Sequence, residues 1–127
     1  MPDLLLFEYA VIRVVPRVER EEFINAGIVV YCKQQQFLEA SISLNKAKLY
    51  SIYAEADFEK IQEYLCVFLK VCAGTPDSGP IGKLDPGSRF RWLTATRSTI
   101  VQSSKVHPGF TSDPKLTLQK LFDQLVV

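Results

Sequence analysis

The apolar positions of this chain change their period three times, and each change marks an element. From Leu4 to Val15 the run is rich in Val, Ile, Tyr and Phe, and Pro16 closes it, which predicts a strand. Alternation puts Tyr9, Val11, Arg13 and Val15 on one face and Ala10, Ile12 and Val14 on the other. The charged stretch from Arg17 to Glu22 reads as a connector with room for one helical turn. A second apolar strand follows from Gly27 to Cys32. Lys33-Gln34-Gln35-Gln36 is a polar turn, and Phe37 to Leu44 alternates again, with Leu38, Ala40, Ile42 and Leu44 inward and Glu39, Ser41 and Ser43 outward. These two strands are expected to pair as an antiparallel hairpin.

Beyond Asn45 the period lengthens. Asn45 is placed to cap a short helix reaching about Tyr53. From Asp57 to Cys72, Phe58, Ile61, Leu65, Phe68, Leu69 and Cys72 fall on one stripe of a longer helix, which Gly74 ends and Pro76 keeps from resuming. Thr75 to Gly87 is a Gly/Pro-rich loop. Asp85-Pro86 pairs a capping residue with a proline suited to the first helical position, so a helix over Pro86–Leu93 is favoured over a strand from Arg89 to Thr96. Thr99 to Ser103 reads as a strand and Val106 to Ser112 as a loop. Asp113-Pro114 repeats the capping signature before a helix carrying Leu118, Leu121, Phe122 and Leu125. The order predicts an α+β domain over residues 1–127: a small antiparallel sheet of about four strands with two main helices packed on one face.

Composition supports that picture. With 127 residues, 47% hydrophobic and 23% charged, the chain has the size and balance of one folded domain. With a net charge of +1, no bulk electrostatic argument points to nucleic acid or an anionic membrane. The charges are nevertheless uneven: Lys83, Arg89, Arg91, Arg97 and Lys105 face only Asp85, whereas Glu55, Asp57, Glu59 and Glu63 face only Lys60. Cys32, Cys66 and Cys72 are odd in number and lack C-x-x-C spacing, so neither a disulfide framework nor a zinc site is expected. They read as small apolar residues in a reducing compartment. Met1-Pro2-Asp3 opens no signal peptide, and no apolar run nears the roughly 20 residues of a membrane span, so a cytoplasmic location is expected.

No Gly-rich phosphate loop, nucleophile elbow, zincin or calcium-loop motif is present, and one histidine cannot build a multi-histidine metal site. No cofactor and no catalytic residue is therefore expected. The unusual stretch is Arg89-Phe90-Arg91-Trp92-Leu93 with Arg97-Ser98-Thr99, Gln102 and His107. Guanidinium forks match carboxylate and phosphate, so one reading is an anion or acidic-peptide pocket. The other is a set of surface arginines paired with acidic side chains, with Trp92 in the core. Arg13 interrupts an apolar strand and calls for a partner, with Glu8 and Glu22 as candidates, unless it lines a ligand groove or lies on a solvated sheet face. The candidate ligand-binding set is Arg13, Arg89, Arg97, Ser98, Gln102 and His107, converging on one concavity. Gly27 is read as a position of positive φ or close backbone approach, Asn25 as a turn residue, and His107 as a loop or capping residue. A Ser98–His107 nucleophile pair is the weakest option, because nothing in the sequence orients such a base.

Two blocks resemble a known family. The first runs from Tyr9-Ala10-Val11-Ile12-Arg13-Val14-Val15-Pro16 through Arg20-Glu21-Glu22-Phe23-Ile24-Asn25-Ala26-Gly27. The second joins Gly79-Pro80-Ile81-Gly82, Arg89-Phe90-Arg91-Trp92-Leu93, Arg97-Ser98-Thr99, Gln102, Val106-His107 and Asp113-Pro114. Together they look like the bacterial family catalogued as domain of unknown function 3037. The resemblance implies a small bacterial cytoplasmic protein with no assigned catalytic residues, whose genes tend to neighbour those of Hip-A-like serine/threonine kinases. The expected function is a non-catalytic binding or regulatory module, with such a kinase as partner. The alternatives are a small enzyme or binder acting on a phosphorylated or other anionic ligand through the arginines and, behind it, nucleic-acid binding.

Overall fold

The structure, a computed structural model, describes residues 4–127; the expectation drawn from Met1-Pro2-Asp3 lies outside the described residues. Its organising element is β1 (Leu5–Val14), in which a β-branched and aromatic run is bonded along both edges. On one side β1 pairs with β2 (Ile24–Cys32), which pairs in turn with β3 (Phe37–Ile42) as the expected hairpin. On the other side two short strands share its edge: β4 (Val101–Ser103) covers Ile12 to Val14 and β5 (His107–Thr111) covers Leu5 to Tyr9. Every pairing is antiparallel, and the sheet has five strands.

The gap between β4 and β5 is closed by Ser104. Its N–H donates to the Val11 carbonyl (2.8 Å), and its hydroxyl oxygen accepts from the Val11 N–H (2.8 Å). A side chain thus satisfies the backbone donor that neither short strand reaches, where an unpaired buried N–H would be costly. On the opposite edge, Ile12 faces Gly27 and Arg13 faces Asn25, which leaves Ala26 without a partner as a bulge. Gly27 is required by close approach and not by a positive φ: a Cβ there would lie 2.6 Å from the Ser41 carbonyl oxygen.

Four helices cover the sheet: α1 (Lys46–Ile52), α2 (Phe58–Ala73), α3 (Pro86–Leu93) and α4 (Pro114–Leu125). All four begin at capping residues, of which the sequence marks Asn45, Asp85 and Asp113 as caps and Asp57 as the start of its helical stretch. Asn45, Asp57, Asp85 and Asp113 each accept backbone N–H bonds from the first turn. Gly74 ends α2 in the left-handed region at φ 66°, where other residues pay steric strain.

The α+β class holds, with two differences from expectation. The helices lie on both faces of the sheet, not one. Ala10, Ile12 and Val14 pack with Ile61, Leu65, Phe68 and Val71 of α2, Leu49 of α1, and Phe90 and Leu93 of α3. Their alternates Phe7 and Val11, with Ile28, Val30 and Cys32, pack against Leu118 and Val126 on the α4 side. The physical reason is β2, whose residues from Ala26 to Cys32 are all buried, as in a strand covered on both faces. The second difference is β5, a strand within the stretch expected to be a loop. Pro108 has no N–H to donate, which hides a strand from pattern reading yet is tolerated at a sheet edge. Pro86–Leu93 is the helix that the Asp85-Pro86 signature favours.

Removing the Ser104 hydroxyl should expose how far β1 depends on it. Ser104→Ala leaves the Val11 N–H without an acceptor and is expected to cost about 1–3 kcal/mol in denaturant unfolding. The Val11 amide should then exchange with solvent faster than its neighbours. An unchanged midpoint and unchanged Val11 protection would show that the sheet does not need this link.

Candidate functional site

The sheet divides the six candidate residues instead of gathering them, so the single concavity expected from the sequence does not form. Arg13 and Gln102 are cross-strand partners, as are Tyr9 and His107, and all four share the face that α4 covers. Arg89, Arg97 and Ser98 lie on the α2 side. A five-stranded sheet separates the two groups.

On the α4 face, Arg13 has neither expected partner. Glu8 makes a two-pronged bond to Arg91 (2.8 and 2.9 Å), and Glu22 pairs with Arg20. The Arg13 guanidinium sits instead over the Phe23 ring, 4.2 Å from its centre. Asn25 is a strand residue and not a turn residue; its amide N–H donates to the Leu125 carbonyl (2.9 Å) and ties β2 to the end of α4. The Arg13 Nε–H and the Asn25 Oδ1 are both buried without a partner among the described residues. Gln102 donates to the Thr99 carbonyl (2.7 Å), and the exposed His107 ring packs 5.3 Å from Tyr9 in β5, neither a loop residue nor a cap.

On the α2 face, Arg89 is structural. Its Nη1 donates to the carbonyls of Val71 (3.1 Å) and Cys72 (2.6 Å), and its Nε to Leu84 (3.0 Å). A fixed cation on the last carbonyls of α2 complements the helix dipole. A Cβ at Gly74 would come within 2.8 Å of that guanidinium, a further reason for glycine at this position. Cys72, beside it, is buried, and burial pushes its thiol up to about 12, so it stays protonated and inert. Cys32 is buried and Cys66 is exposed; all three are unpaired.

Arg97 and Ser98 open onto a groove of about 680 Å³ between α2, the end of α3 and β4. That volume falls within the roughly 300–1,000 Å³ of ligand sites. Its walls are Tyr64, Val67 and Phe68 of α2, Trp92 of α3, Val18, and Ile100 and Val101 at the entry to β4. Trp92 lies at the groove and not in the core, at 36% exposure; Tyr64 is 40% and Val67 51% exposed. The Arg97 guanidinium stacks 4.5 Å from the Trp92 ring centre and donates one N–H to the Trp92 carbonyl. Ser98 and His107 lie on opposite sides of the sheet, so no nucleophile pair forms.

Sequence reading missed Tyr64 and Val67. Their signal is present in hindsight: two apolar residues three apart on α2, off the buried stripe of Ile61, Leu65, Phe68 and Cys72. A second hollow of about 720 Å³ lies near Leu6, Phe110 and the Glu8–Arg91 pair. Its lining carries charges of both signs, of which Glu8 and Arg91 are paired with each other and Asp85 caps α3. Among the described residues, no three His, Cys, Asp or Glu side chains are grouped to hold a metal, and no helix is long and apolar enough to cross a membrane.

The two arginines of the α2 face should separate in a stability experiment. Arg89→Met loses bonds from a charged donor to three carbonyls and is expected to destabilise by about 1.5–3 kcal/mol. Arg97→Ala loses a stacked, partly exposed contact and should cost no more than about 1 kcal/mol. Equal losses in thermal or urea unfolding would refute this division.

Comparison with known proteins adds a family but no activity. No curated protein and no solved structure matches the chain. One family model matches residues 9–126, nearly its whole length, and by that match the chain belongs to the family described as Protein of unknown function (DUF3037).

Proposed function

We propose that this chain is a non-catalytic binding module of the bacterial cytoplasm, and that it binds a partner protein through the groove between α2 and β4. The observation that carries the reading is the lining of that groove. Tyr64, Val67 and Trp92 are exposed apolar side chains lining one concavity, and among the described residues Arg97 is the single charged one there. Concave apolar surface with one polar anchor is the form that protein and ligand sites take. Among the described residues, no carboxylate, histidine or cysteine accompanies Ser98 in the groove, which favours binding over catalysis. Three unpaired thiols, two of them buried, suit a reducing compartment.

A Hip-A-like serine/threonine kinase is the first partner to test, on the strength of the family resemblance. Affinity purification from the native bacterium, read by mass spectrometry, should compare the wild type with two variants. Val67→Glu places a charge on the exposed groove wall and should leave stability within about 0.5 kcal/mol. It is expected to lose the partner, whereas Leu6→Glu, at the other hollow, should keep it. Retention of the partner by Val67→Glu, or loss by Leu6→Glu alone, would move the binding surface elsewhere.

A further inference from the structure

The groove holds two chemistries next to each other, and their arrangement specifies what fits. One wall is aromatic and aliphatic: Trp92, Tyr64 and Val67. The other carries Arg97, Ser98 and Thr99 and, among the described residues, no carboxylate. The Arg97 guanidinium spends one N–H on the Trp92 carbonyl, and its Nε–H and Nη1 meet no acceptor among the described residues. The Ser98 hydroxyl has no hydrogen-bond partner among the described residues. The backbone N–H groups of Arg97, Ser98 and Thr99 likewise have no acceptor there. Since Arg97 stacks directly on Trp92, the cation and the apolar wall are in contact. A ligand that satisfies both must carry its anion within one residue's reach of a bulky apolar group.

We infer that the groove takes the C-terminus of a partner polypeptide that ends in a large apolar residue. The last side chain lies between Trp92, Tyr64 and Val67, and the terminal carboxylate meets Arg97 and Ser98. Capture of a chain terminus by backbone donors and an arginine is an established mode of peptide recognition, and a guanidinium matches a carboxylate in two-pronged geometry. An internal Asp or Glu offers the anion but sets an apolar group beside it only through a neighbouring residue. Inorganic phosphate offers no apolar body. The charge is complementary as well: among the described residues the groove lining presents one cation and no anion, so a terminal carboxylate enters without repulsion from it. The inference rests on the reading that this groove is the binding surface, and it deepens that reading by naming the ligand.

Trp92 is the only tryptophan of the chain, so its fluorescence reports the groove without a label. The probe is a mixture of N-acetylated hexapeptides with random internal positions and phenylalanine or leucine at the end, made once as free acids and once as C-terminal amides. The free acids should shift Trp92 emission saturably and bind about tenfold or more tighter than the amides, the fold-change expected from a charge-assisted pair. In Arg97→Gln the two should bind within about twofold of each other. Circular dichroism of the variant should match the wild type, and Arg97→Lys should keep part of the preference. Equal binding of acid and amide by the wild type, or no saturable shift with either, overturns the inference. Its failure is separable from failure of the groove reading. If Val67→Glu still loses the native partner while acids and amides bind alike, the groove binds but does not read a terminus.

Discussion

The fold depends on how the outer edge of β1 is satisfied. A ten-residue strand whose inner half, Ala10 to Val14, is largely buried cannot leave backbone donors unpaired there, and no single strand runs its whole length on that side. Two short strands divide the task, and Ser104 bridges the residue between them through its N–H and its hydroxyl. The arrangement fixes where β4 ends and β5 begins. It therefore sets where the segment from Thr94 to Ile100 leaves α3 and enters the sheet. The Val15 N–H donating to the Ile100 carbonyl (2.7 Å) extends the same edge to the groove floor. The site is thus held by the backbone of the central strand, although its side chains come from α2, α3 and a connecting segment.

Much of this was legible in the sequence, for local reasons. Three helix starts were marked by caps at Asn45, Asp85 and Asp113, because a cap is a short-range contact between a side chain and the next turn, and the apolar stripe placed the start of α2 at Asp57. The β2–β3 hairpin was legible because Leu38, Ala40 and Ile42 alternate across a polar turn. What failed was long-range. The Pro108-Gly109 pair in β5 looks like a turn, and only its pairing with Phe7 and Glu8, a hundred residues earlier, makes it a strand. The second helical layer was missed for the same cause: an apolar run such as Ala26 to Cys32 says that both faces are covered, but not by which element.

The candidate site was legible in part. Arg97 and Ser98 do line the groove, as their chemistry suggested. Arg89 does not act with them, because its guanidinium is held on the carbonyls that end α2. Nor does Arg13, which lies beneath the other layer with Phe23 against it. Four cationic or imidazole side chains close in chemical type were distributed over two faces by a strand period of two and a helix period of 3.6, and composition carries neither. The apolar half of the groove was hidden for the opposite reason: Tyr64 and Val67 are ordinary helix residues until their exposure beside Trp92 gives them a common surface.

Two exposed apolar surfaces compete for the role of binding face, one at Tyr64 and Trp92 and one at Leu6 and Phe110. Hydroxyl-radical footprinting of the protein, purified alone and then in the complex isolated from its native cells, tells them apart directly. The account predicts that Tyr64 and Trp92 are labelled in the free chain and protected in the complex, while labelling of Phe110 is unchanged. Protection of Phe110 with Trp92 still fully labelled would contradict it.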